Sequence, residues 1–164
     1  MIELAPGWLI EVEDSTNNHW VGSCGDLMIA FAYQGSHNDL RHVQAIGRCI
    51  DRLGKDSKNG VRILFVLPPL HAKPPDEKVR RALVDELRRC AAQISIAAIV
   101  VEGTGFGAAI HRGVLTGILG VVRPKFRLVV EGNVRAGLSS LLDSRSAVFR
   151  PLLRYCEDRL TGPI

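Results

Sequence analysis

Three continuous apolar runs stand in this chain: LMIAFAY at 27–33, RILFVL at 62–67 and IAAIVV at 96–101. Each is followed by a stretch whose apolar residues recur every three or four positions. A strand buried on both faces needs no polar alternation, so such runs predict interior strands of a sheet covered by helices. After the first run, Asn38 or Asp39 caps a helix with the stripe Leu40, Val43, Ile46, Ile50 and Leu53, closed by GKDSKNG. After the second, Pro74-Pro75 and Asp76 open a helix with the stripe Val79, Leu83, Leu87, Cys90 and Ile94. The alternation predicts an α/β fold: a mostly parallel or mixed sheet of about five strands with helices packed on it.

The flanking segments extend this pattern. Trp8–Val12 reads as a strand able to join antiparallel at one side, and residues 14–26 are polar and turn-rich, with a short strand around Trp20. Residues 106–122 read as a helix, 125–130 as a strand and 134–142 as a helix. The body is complete by residue 142, and residues 143–164 form a C-terminal helical extension. There Phe149, Leu152, Leu153, Cys156 and Leu160 share one side, and Pro151 fits if it lies in the first turn. Such a stripe must be buried. Phe149, Leu152 and Leu153 are therefore a candidate interface with a second copy or another protein, rimmed by Arg145, Arg150, Arg154 and Arg159. The alternative is packing on the chain's own sheet.

The totals narrow the function classes. A chain of 164 residues, 46% hydrophobic, forms one domain with a real core. Its 21 basic and 17 acidic residues are interspersed, as in DEKVRRALVDELRR, which argues against a nucleic-acid stripe. Cysteines 24, 49, 90 and 156 show no C-x-x-C spacing, which argues against a disulfide framework and a thiolate zinc site. The N-terminal segment lacks the pattern of a signal peptide, and the longest apolar stretch carries His111 and Arg112 near its middle. The expectation is a cytoplasmic protein without a membrane span.

The segment VVEGTGFGAAIHRG poses the main functional question. Gly103-x-Gly105-x-x-Ala108 resembles the dinucleotide fingerprint between a strand and a helix, and Glu131 ends the next strand where a ribose-binding acid would stand. Against this, no strand follows to supply a second half-site, and Glu102 sets a carboxylate beside any phosphate. The simpler reading is a tight turn with close helix–sheet packing. Gly103, Thr104, Gly105 and Phe106 remain a candidate ligand or partner loop. His37 and His42 flank the first helix's start with Asp39 between them, and His71 sits in the proline-bounded loop, but their spacing does not require convergence on a metal. G-x-S-x-G, H-E-x-x-H and G-x-x-x-x-G-K-[ST] are absent from the sequence, so neither catalysis nor a cofactor is expected.

GDLMIAFAYQGSHNDL, IAAIVVEGTGFGAAIHRGVLTGIL and KFRLVVEGNVRAGLSSLL, in that order, resemble STAS-like domains, the anti-sigma-factor antagonists and their bacterial relatives. The likeness covers about residues 7–142 and rests on pattern; Ala136–Ser139 matches the family's last helix only loosely. It implies a non-enzymatic regulatory or scaffolding domain acting through protein contacts. A lipid- or nucleotide-binding domain using the loop at 103–107 is the alternative. Partner-switching members carry a phosphorylated Ser or Thr at the start of the helix after the strand matching 62–67. PPLHAKPPDEK has no hydroxyl residue there, and Thr104 lies one strand later.

Overall fold

The computed structural model describes residues 1–34, 36–68, 75–103, 113 and 125–161. Its seven-stranded sheet runs in sequence order: β1 (Ile2–Ala5), β2 (Trp8–Ser15), β3 (His19–Cys24), β4 (Leu27–Ala32), β5 (Val61–Leu67), β6 (Ile94–Val101) and β7 (Arg127–Glu131). The first four strands form an antiparallel meander. From β4 onward the pairing is parallel, which requires crossovers. The fold class is α/β with a mixed sheet, as expected, but with more strands than about five. The additions lie in the N-terminal part. β1 precedes the expected first strand, and β3 is buried throughout despite its polar neighbours.

The described helices are α1 (Leu40–Asp56), α2 (Glu77–Cys90), α3 (Val134–Leu141) and α4 (Phe149–Arg159). None is long and apolar enough to cross a membrane. The caps follow from the sequence. An Asp39 side-chain oxygen accepts from Arg41 N, Asp76 from Val79 N, and Asn133 from Ala136 N. Pro151 lies in the first turn of α4, where its missing N–H costs nothing. The helix expected over residues 106–122 lies outside the described residues, as does His71.

Helices cover the sheet on both sides. On one side α1 sets Ala45, Ile46, Cys49, Ile50 and Leu53 against Val21, Met28, Ala30 and Ile63. On the other, α3 and α4 set Leu138, Phe149, Leu152 and Leu153 against Trp20, Phe31, Leu64 and Val100. Phe149, Leu152 and Leu153 are 3%, 0% and 4% exposed. The stripe of α4 thus makes the intramolecular packing, and the C-terminal segment belongs to the core. All four cysteines are buried free thiols, and burial pushes Cys49 up to about 12 and Cys90 to about 11.

Candidate functional site at the carboxyl ends of the parallel strands

In open α/β sheets ligands gather at the carboxyl ends of the parallel strands. At that end β3 starts beside the end of β4, with His19 opposite Ala32. Successive residues of a strand point to opposite faces. His19 therefore faces α1, while Trp20 faces α4. Two polar clusters result, one on each side of the sheet.

On the α1 side the cluster depends on a bulge in β2. The register slips between Val12 and Asp14, so consecutive carboxylates Glu13 and Asp14 both reach α1. Glu13 takes Arg48 and Arg52. Asp14 takes Arg41 through two bonds of 2.7 and 2.8 Å. That guanidinium holds the Asp14 carboxyl below its usual range, against the effect of burial. His19 is fully buried. Its Nδ1 lies 2.9 Å from Asp39 Oδ2. A carboxylate only accepts, so Nδ1 carries the proton. Asp39 thus caps α1 with one oxygen and orients His19 with the other.

His42 stacks on His19, with ring centroids 4.8 Å apart and planes within 9°. Phe65 stacks near it at 5.7 Å. Burial lowers its pKa to about 3, helped by His19, so the imidazole is neutral. The histidine pair at this site is His19 and His42. Among the described residues no set of three or more His, Cys, Asp or Glu is arranged to hold a metal ion.

On the α4 side Tyr33 follows β4 and stacks near Phe31 at 6.0 Å. Arg159, in the last turn of α4, is 6% exposed. Its guanidinium carbon lies 4.5 Å from the Trp20 ring centre and 4.8 Å from that of Tyr155. Arg159 is therefore inside the core, not at the rim of an outer surface.

The glycine turn begins just after β6. Gly103 has φ +97°, a left-handed conformation that favours glycine. The other candidates of this loop, Thr104, Gly105 and Phe106, lie outside the described residues. Both acids weighed with the nucleotide reading have partners within the fold. Glu102 Oε1 accepts from Val134 N, in the first turn of α3, at 2.7 Å. Glu131 accepts from the Ser140 hydroxyl at 3.0 Å. Compared with protein-family models, curated proteins and solved structures, the chain matches none.

Sequence reasoning missed His19, Asp14, Tyr33 and the burial of Arg159. A usable signal existed for the first: His19 and Trp20 alternate within a short run between polar residues, as in a strand with two covered faces.

Proposed function

We propose that the chain is a non-catalytic regulatory or scaffolding domain, STAS-like in kind, that works through contact with a second copy or another protein. One observation carries this reading. The large apolar side chains exposed among the described residues are Met1, Ile2, Trp8, Leu9, Val12 and Val130. The first five lie on or beside β1 and β2, at one open edge of the sheet, and Val130 lies on β7, the other edge. An edge strand offers unpaired backbone donors and acceptors. Clustered apolar side chains beside such an edge favour protein docking.

Charge supports the same placement. Glu11 and Glu13 on β2 are paired by Arg52 of α1, so the charges beside these apolar residues on β2 are answered within the chain. Sedimentation equilibrium over a micromolar to millimolar range tests the reading, together with photo-crosslinkers placed at Trp8 and Val12 in the producing cell. The expected results are association or an intermolecular crosslink, lost in Leu9→Lys/Val12→Lys with the fold retained. A monomer at all concentrations, with crosslinks only within the chain, overturns it.

A further inference from the structure

Exposed charges on a helix usually suit its backbone dipole, with acids in the first turn and bases in the last. On the outer side of α3 and α4 the order is reversed. Arg135 is the second residue of α3 and Arg150 the second of α4. Arg154 follows Arg150 by one turn, where like charges repel. Glu157 and Asp158 then lie in the last turn of α4. With Leu153, these five charged residues line one open groove of about 630 Å³.

The groove is also unanswered from within. The guanidiniums of Arg135, Arg150 and Arg154 make no hydrogen bond or ion pair with a described residue, and neither do the carboxylates of Glu157 and Asp158. Elsewhere the exposed Arg41, Arg52 and Arg89 each find a carboxylate. Charges that work against their own helices and find no partner in the fold are the kind of local conflict that marks a binding site.

We propose that this groove binds a small phosphorylated polyol, with the phosphoryl group among Arg135, Arg150 and Arg154 and the hydroxyls on Glu157 and Asp158. The guanidinium fork matches phosphate oxygens. A phosphomonoester is close to a dianion at neutral pH, so it answers more of the three positive charges than a carboxylate does. A single exposed ion pair contributes little; one dianion shared by three arginines contributes more. The two acids disfavour a second anionic group and accept from hydroxyl donors. From midway between Arg150 and Arg154 to the acid pair is about 8 Å along the axis of α4, the length of a sugar phosphate. The site does not rest on the contact role of the β1–β2 ribbon.

Isothermal titration at fixed ionic strength tests the site, with ribose 5-phosphate, inorganic phosphate and ribose as probes. Ribose 5-phosphate should bind saturably, at least tenfold more tightly than inorganic phosphate, and ribose should not bind. Arg150→Ala/Arg154→Ala should fold, since both side chains are exposed, and weaken ribose 5-phosphate at least tenfold. Arg145→Ala, whose guanidinium pairs with Asp143, should bind it as wild type does. Glu157→Ala/Asp158→Ala should erase the preference for the sugar while binding inorganic phosphate at least as well. Arg150→Glu should abolish binding without lowering the melting temperature, because an acid suits the start of a helix. The proposal is overturned if ribose 5-phosphate gives no saturable heat at millimolar concentration, or if inorganic phosphate binds as tightly. It is also overturned if Arg145→Ala weakens binding as much as the double arginine variant. Capture by phosphatidylglycerol vesicles that ribose 5-phosphate does not reverse overturns it in favour of a membrane surface. Should the double arginine variant not fold, Arg150→Glu decides: unchanged affinity overturns the site.

Discussion

His42 lies flat against His19 in the interior, and one carboxylate, Asp39, both orients His19 and caps the helix that carries His42. The pair therefore ties the start of α1 to the start of β3 through a ring stack and a shared carboxylate.

Stability should fall with pH because of His42. The unfolded chain titrates this group near 6.5 and the folded one near 3. Between those values the unfolded state holds a proton that the folded state lacks. The stabilisation is complete above about 6.5 and drains away as pH falls toward 3, at about 1.4 kcal/mol per unit at its steepest. Asp14, also held low, adds a loss in the same direction only nearer its ordinary range. Urea unfolding between pH 7 and 4.5 should show the slope, and His42→Phe should flatten it.

Leu152→Ala tests the place of α4. Leu152 is fully buried against the sheet, so truncation should cost about 2–5 kcal/mol. Urea titration reads the loss. Sedimentation should give the same mass as wild type at the same concentration, because the stripe closes the chain's own core.

Gly137 is where α3 comes closest to the sheet. A Cβ there would lie 2.4 Å from Val100 Cγ2 and 3.0 Å from Leu64 Cδ1. Overpacking costs about 1–3 kcal/mol, and the better helix propensity of alanine returns about 1 kcal/mol. Gly137→Ala should be destabilised on balance, measurable as a lower melting temperature.

Glu102→Ala removes the acceptor for Val134 N and the negative charge at the start of α3. The expected loss is about 1 kcal/mol. Glu102→Gln, which keeps an acceptor, should lose less. If Glu102 instead repelled a bound phosphate, its removal would strengthen ATP binding, and isothermal titration distinguishes the two.

The parallel half of the sheet was legible because its strands are buried on both faces and its helices carry caps and stripes at regular spacing. Leu27, Leu64 and Val100 needed no tertiary knowledge to place. The antiparallel half was less so. Asp14 and His19 read as loop residues because their burial depends on a bulge and on partners from α1, which no local pattern encodes. Arg159 reads as a rim residue for the same reason. A charged side chain on an amphipathic helix is assigned to water unless the aromatic rings that cover it, here Trp20 from the far end of the chain, are already known.

The sequential strand order bears on how the chain assembles. Each strand pairs with its predecessor in sequence, so a chain emerging from the ribosome always finds its next partner strand already made. The β2–β3–β4 meander closes through short turns, on the microsecond scale of hairpins, and offers β4 as a template for the slower parallel additions. Until α4 arrives, Trp20 and Phe31 lack their cover on one side. Co-translational folding should leave that face open to chaperones until α4 is synthesised.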